Sequence, residues 1–530
     1  MAEEEDPFGA FGDDDSNSEQ SEDESAKRIT ESLLQKANAA EKKSPSELLP
    51  TSNAEAPMLP KSPSVDLSSL QSCQIPWDPP LYISPNAKLV SNLPYGGERG
   101  YVATSDLPAG TLVMVDKPIM EWPEEQLGKE LSLLTVKYLL DHRNAAKILA
   151  DLEDFYPTKT VVDAAEQSEN PEQIETMMDK LREKYGNKQN SLLSKLVEHA
   201  ANRNVQNRNG TSLTSTDILR LFLSLRYNGL ESGVYKHVAM LNHKCQPNCV
   251  KFMPPSVGTG MFEMEFSEVR TTRRVAAGES LTISYMSKLV CHASRHRHLW
   301  EQHRFDIGSD LEANLRHMEV INGGLPSSSK EFVDEDFVTS RIERSIAELD
   351  LMYQSAKDAL PSSQTDKLNA EYWEQAKAIE VSSLELYVEA KSQLRNKNHL
   401  LLIPCLVLHL DACDLVLRHD ARSSLSSSLT NAQRCKLLAR QVTTAHNLIQ
   451  LQRAYWGDDH FDLARTYLDL AYAIDELLSK SQKHLLELSI AKSNNLTNFR
   501  NWSSLQHQCR KEHERIRNLY PKDAAQHIVT

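Results

Sequence analysis

The chain has 530 residues, 40% of them apolar, and a formal charge of −15. That is enough apolar chain for two or three packed domains. Residues 1–25 hold 11 acidic groups and no Lys or Arg, and removing these 11 from −15 leaves −4, so no basic surface for nucleic acid is expected.

No stretch of about 18 apolar residues occurs, which argues against a membrane span. The first residues are acidic and polar, not charged and then apolar, so no signal peptide is expected. Eight cysteines are scattered without CxxC spacing, and they read as reduced thiols that fill cores. The cytosol and the nucleus are both compatible with this pattern.

In chain order, residues 1–75 are rich in Glu, Asp, Ser and Pro, and such a segment buries too little apolar surface to offset its ordering entropy. A short helix over 27–42 is possible there, with Ile29, Leu33, Leu34 and Ala37 near one face. Asp6-Pro7-Phe8 and Phe11 have the form of a partner-docking motif, against the plainer reading of a solvated acidic tail. Residues 76–123 read as strands and turns. The best strands are 101–104 and 111–115, joined through Leu107-Pro108-Ala109-Gly110. Residues 124–225 switch to helical spacing, with Leu131, Leu134, Tyr138 and Leu139 on one stripe and Leu219, Phe222, Leu223 and Arg226 on another. This insertion contains no cysteine.

Strand patterns return at 261–266 and 280–285, within a core expected over 226–308. Residues 309–530 read as helices. Ile342, Ile346, Leu349, Tyr353, Ala356 and Leu360 follow 4, 3, 4, 3, 4 spacing before Pro361. Helices over 437–454 and 461–478 flank Trp456-Gly457-Asp458-Asp459, where Asp458 or Asp459 is expected to cap the second. Paired helices of this length suggest an antiparallel, repeat-like stack, a divergent form of the tetratricopeptide type.

The most informative run is Asn242-His243-Lys244-Cys245-Gln246-Pro247-Asn248. Its Asn-His pair offers polar side chains that hydrogen-bond without titrating strongly, and Pro247 forces the chain out of regular structure. Gly278-Glu279 is a turn, and the alternation that follows ends at Tyr285. A polar loop beside a strand-end Tyr makes a pocket.

Together these runs resemble the signature of SET-domain methyltransferases, Asn-His-x-Cys-x-Pro-Asn followed by Gly-Glu-x-Leu and a Tyr. Gly233-Val234-Tyr235, leading through Met240-Leu241 into the Asn-His pair, is similar to the SET-and-MYND subfamily. Gly97-Glu98-Arg99-Gly100-Tyr101-Val102-Ala103 looks like the first SET strand, with Glu98 where the family has the first Gly of Gly-Arg-Gly. The resemblance implies an α+β fold: a SET-type β-fold with a helical insertion, then an all-α C-terminal domain. It implies an S-adenosyl-L-methionine-dependent protein-lysine N-methyltransferase. Tyr285 would be catalytic. Arg99, Gly100, Tyr101, Asn228, Asn242, His243 and Phe305 would bind the cofactor, and Tyr235 would line the lysine channel. The plainer readings are a strand-end core Tyr for Tyr285, a loop-stabilising Asx turn with a satisfied histidine for Asn242 and His243, and a turn residue for Asn228. Tyr235 could be plain core, and Phe305 could pack on the helical domain.

The subfamily's Phe-x-Cys-x-Cys-x-x-Cys segment would join Cys245 on zinc. Here the run is Phe305-Asp306-Ile307-Gly308, so no metal is expected; a substitute from Cys291, His292, His296, His298 and His303 is weakened by Arg295, Arg297 and Arg304 among them. The helical insertion, lacking cysteine, cannot house the MYND finger. A monomer acting on a protein lysine is expected, with further protein partners on the helical stack. The alternative is an inactive SET-fold scaffold; a helical-appendage enzyme of the Rubisco type fits less well, because that class lacks the Cys-x-Pro-Asn continuation.

Overall fold

A computed structural model describes residues 71–73, 77–91, 93, 99–122, 131, 133–158, 162, 173–186, 191–207, 209–230, 233–252, 266–286, 289–303, 329–358, 370–394, 398–422, 429–481 and 499–520. Residues 1–70 of the expected tail, Glu98, Phe305 and most of the strand expected over 261–266 lie outside these residues, whereas Gln71–Ser72, inside the expected tail, form a strand.

The N-terminal half opens with short strands: β1 (Gln71–Ser72), β2 (Tyr82–Ile83), β3 (Ala87–Ser91), β4 (Arg99–Ala103), β5 (Leu112–Asp116) and β6 (Pro118–Glu121). Gly110 makes the turn between β4 and β5 at φ +80°, a left-handed conformation that favours glycine. Among the described residues five helices follow: α1 (Leu134–Asp141), α2 (Ala145–Leu152), α3 (Gln173–Gly186), α4 (Leu192–Asn202) and α5 (Ser215–Asn228). The last begins with a reciprocal capping box between Thr214 and Asp217, and most of its residues are buried. Strands then resume as β7 (Gly229–Leu230), β8 (Gly233–Tyr235), β9 (Asn242–His243), β10 (Cys249–Phe252), β11 (Ser267–Thr271) and β12 (Thr282–Ile283).

These strands form small sheets ordered β1-β3-β4, β10-β11-β5-β2 and β6-β8-β7, all with antiparallel pairing. The exception is β9 with β12, a parallel pair in which Thr282 faces Asn242 and Ile283 faces His243. One continuous core runs from Trp77 through β4, the helical insertion and β8 to Ile283. Fold class is therefore α+β.

The first helical stripe differs from the sequence reading. Leu133, Val136, Leu139 and Leu140 are buried, whereas Leu134 and Tyr138 are 48% and 42% exposed. The run Leu131-Ser132-Leu133-Leu134 is apolar on more than one face, so two stripes fit the same periodicity and tertiary packing selects one.

From α6 (His292–His303) onward the described residues are helical: α7 (Ser329–Asp358), α8 (Ala370–Gln393), α9 (Leu402–Arg422), α10 (Asn431–Trp456), α11 (Phe461–Ser481) and α12 (Phe499–Leu519). Successive helices from α7 to α12 pack on one another. The expected Asp cap on α11 is replaced by His460, whose Nδ1 accepts from the Asp462 amide at 3.3 Å. Asp458 and Asp459 are held instead by Arg453 and Arg515. The stack closes on the β-core at several points. Phe252 of β10 stacks edge-on against Phe461 and Tyr520, and a Cβ at Gly110 would lie 2.0 Å from the Leu519 carbonyl oxygen.

Candidate functional site

The parallel pairing of β9 with β12 fixes the site. It places Tyr285, two residues past the end of β12, beside the Asn-His pair. The Tyr285 amide donates to His243 Nδ1 at 3.0 Å, and the Tyr285 hydroxyl donates to the Leu241 carbonyl at 2.8 Å. With its proton directed there, the phenol oxygen meets any further partner as an acceptor. Burial raises the hydroxyl's pKa, so it stays protonated.

His243 is locked in one tautomer. Its Nδ1 accepts from Tyr285, so the proton resides on Nε2, which lies 3.3 Å from Cys245 Sγ. Burial first, then the neighbouring His303, Arg295 and His298, lowers its pKa to about 3. A second imidazole joins the group from the end of α6. The His303 ring lies 4.8 Å from that of Tyr285, and its Nδ1 is 3.1 Å from the Tyr227 carbonyl, so Nδ1 is the donor. Its pKa is lowered to about 4, chiefly by burial. Tyr285 is thus flanked by two neutral imidazoles.

Asn242 donates through Nδ2 to the Arg99 carbonyl of β4 at 3.1 Å. Gly100 makes room for it, because a Cβ there would lie 2.7 Å from Asn242 Nδ2 and 2.5 Å from Leu93 Cδ1. The place of the missing side chain is a cradle that Asn242 and Leu93 already fill. Strand alternation turns the next residue away. Tyr101 is 2% exposed and its hydroxyl is 2.8 Å from His237 Nδ1, so only its backbone shares the Asn242 side. Arg99 reaches the Asp154 carbonyl. Asn228, at the end of α5, commits its amide hydrogens to the carbonyls of Tyr156 and Ser224, at 2.6 and 2.9 Å. Tyr235 is 1% exposed, and its hydroxyl accepts from Ser267 at 2.9 Å.

Two motif residues given no role in the sequence reading prove structural. Asn248 is 1% exposed. Its Nδ2 donates to Glu279 Oε1 and the Ser280 carbonyl, and its Oδ1 accepts from the Thr282 amide. Glu279 in turn accepts from Arg273 and the Ala276 amide. Burial alone would raise the Glu279 pKa, but these donors hold it below the usual carboxylate range. Both residues stand in the quoted signature, so their signal was present without a role attached.

The Cys245 sulfur faces His243 Nε2, and its side chain joins the helical core with Leu299 and Ile342. Cys291 directs its thiol to Glu343 Oε2 at 3.1 Å. Gln246 donates to the Tyr455 carbonyl of α10. Packing against the helical stack therefore holds the loop. A cavity of about 760 Å3 lies elsewhere, between β6 and α1–α2, lined by Trp122, Tyr138, Ile148 and Lys236 and by none of the expected site residues except for the neighbourhood of Tyr235. No described helix is long and apolar enough to cross a membrane.

The SET domain family model matches residues 98–286. The chain is 33% identical over 75 residues to the histone-lysine N-methyltransferase SMYD3 of Mus musculus, a match covering 14% of this chain and 15% of that relative. Among solved structures, the SET domain of LSMT bound to lysine and AdoHcy aligns over 82% of this chain and 88% of its own, with 11% identity and a TM-score of 0.25.

Proposed function

We propose that this chain, whose residues 98–286 match the SET domain model, is related to the SET-and-MYND group and is an S-adenosyl-L-methionine-dependent protein-lysine N-methyltransferase acting in the cytosol or nucleus. The observation that carries this reading is the Leu241–Asn242–His243–Tyr285 constellation, in which a parallel strand pair sets a phenol hydroxyl against a backbone carbonyl. Bound S-adenosyl-L-methionine would supply an electrophilic methyl. Asn242, which Gly100 lets close against β4, would hold such a group with His243 and the backbone of Arg99, Gly100 and Tyr101. Asn228 and Phe305 remain candidates, though the Asn228 amide hydrogens already have carbonyl partners.

A free lysine has a pKa near ~10.4, so the enzyme must take in a neutral amine. The neutral His243 and His303 flank Tyr285 without adding a competing charge, and an apolar surround favours deprotonation. The Tyr285 oxygen, its proton held by Leu241, accepts an amine N–H and aims the lone pair. Alignment of this kind can supply ~7–11 kcal/mol of the barrier. No zinc at Cys245 is needed, because the helical stack takes over the loop's support.

Tyr285→Phe tests this. It keeps the ring and removes one hydroxyl, so folding and cofactor affinity should hold while labelled methyl transfer to lysate proteins falls ~100-fold, a loss of ~2.7 kcal/mol. Equal activity in the variant would refute the role of Tyr285. The second reading, an inactive scaffold, draws on the stack's exposed Phe337, Leu351 and Tyr472, at 69%, 72% and 55%. Transfer by the wild type to any protein would remove it.

A further inference from the structure

Within the helical stack, α8 and α9 bring Glu380, His409 and Cys413 together, with a carboxylate oxygen, an imidazole nitrogen and a sulfur all within 4.8 Å of one another. His409 and Cys413 are one turn apart on α9 and share a face. Both are 0% exposed, and Glu380 is 6% exposed.

The tautomer of His409 gives this cluster a direction. Ser383 Oγ donates its only proton to the Glu380 carbonyl at 2.9 Å, so it accepts from His409 Nδ1 at 3.0 Å. The His409 proton is therefore on Nδ1, and the Nε2 lone pair points toward Cys413 Sγ, 3.7 Å away. An imidazole oriented by a hydrogen bond on its other nitrogen is the arrangement that metal-ligating histidines adopt. Tetrahedral bonds of ~2.0 Å to nitrogen and ~2.3 Å to sulfur span an edge of ~3.5 Å, close to the observed separation.

We propose that Glu380, His409 and Cys413 bind one divalent transition metal of the zinc type, with Arg440 as the outer partner of the carboxylate. Arg440 grips Glu380 Oε1 at 2.8 Å and is 31% exposed in its side chain. A carboxylate has a second oxygen for the metal, and the exposed flank of Arg440 is the route by which water reaches the fourth position. Binding displaces the thiol proton: Cys413–SH and M²⁺ give Cys413–S–M and H⁺. The thiolate and the carboxylate then offset the added charge, and affinity should rise with pH. The metal would pin α8 to α9. This departs from the expectation of no metal in the chain, and it is independent of the methyl-transfer reading.

The test is metal analysis of the full chain purified without chelator, followed by removal of metal and titration with Co²⁺. One ion per chain is expected, with a thiolate-to-cobalt charge-transfer band in the near ultraviolet. Both should vanish in Cys413→Ser and in His409→Ala, and persist in Cys405→Ser, a buried thiol elsewhere on α9. A wild-type chain that takes up cobalt without that band overturns the proposal, as does a band that survives in Cys413→Ser. The wild-type spectrum decides even if a variant fails to fold.

Discussion

Asn242 and Asn248 belong to the same short loop, yet the structure employs them in opposite ways. Around Asn248 every polar atom is enclosed: its amide bridges Glu279, Ser280 and Thr282, and Arg273 completes the network. Asn242 is only half-buried, and it packs against a glycine where a side chain would collide. One end of the loop is a structural clamp, and the other is the side proposed to meet a ligand. A signature read from sequence merges a clamp with a site. Substitution separates them.

The largest effect is expected at the clamp. Asn248→Leu leaves the Thr282 amide and the Ser280 carbonyl without their partner, while Glu279 keeps Arg273 and the Ala276 amide. At ~1–3 kcal/mol for each unsatisfied group, denaturant unfolding should show a loss of ~3 kcal/mol or more. A loss below ~1 kcal/mol would show that the network is dispensable.

Gly100→Ala acts at the other end. The added methyl overlaps Asn242 Nδ2 and Leu93 Cδ1, and overpacking of this kind costs ~1–3 kcal/mol. Cofactor affinity should fall by more than stability does, because Asn242 is displaced. Equal affinity in calorimetry would show that Asn242 is not part of the binding surface.

A smaller effect separates the imidazoles from the clamp. His303 has a folded pKa of about 4, below its ordinary 6.5, because of burial and then the charges of His298 and Arg226, with only the Tyr227 carbonyl acting the other way. As pH falls, the unfolded chain takes up the proton first. The contribution to stability is complete above pH ~6.5 and is lost toward pH ~4. His303→Phe should flatten the slope of stability against pH in that window by up to ~1.4 kcal/mol per pH unit. An unchanged slope would place the acid sensitivity elsewhere.

The outline of the fold was legible because its punctuation is strong. Pro247 and Gly278 mark the turns that bracket the crossing, and Thr430 with Gln433 forms a capping box at the start of α10, inside a region correctly read as helical. Less was legible where tertiary partners decide. Strand β9 is two residues long, too short for any periodicity, and forms by pairing with β12, which lies inside the alternation read over 280–285. The stripe of α1 fell on the wrong leucines because more than one face is apolar. Asp458 and Asp459 have the right chemistry for a cap, but distant arginines claim them. His303 was noticed only as a possible metal ligand, since nothing local says that the end of α6 returns to Tyr285. The run Phe305-Asp306-Ile307-Gly308, which lacks the subfamily's cysteines, lies outside the described residues, and Cys245 packs in the helical core.

The most direct measurement is calorimetric titration of the purified full chain with S-adenosyl-L-methionine. The account predicts saturable binding at one per chain, weakened about tenfold or more in Asn242→Ala, a loss of ~1.4 kcal/mol, and retained in Tyr285→Phe. A wild-type chain that is folded and gives no binding heat at any temperature, with no protection against thermal unfolding by the cofactor, would contradict it and leave the scaffold.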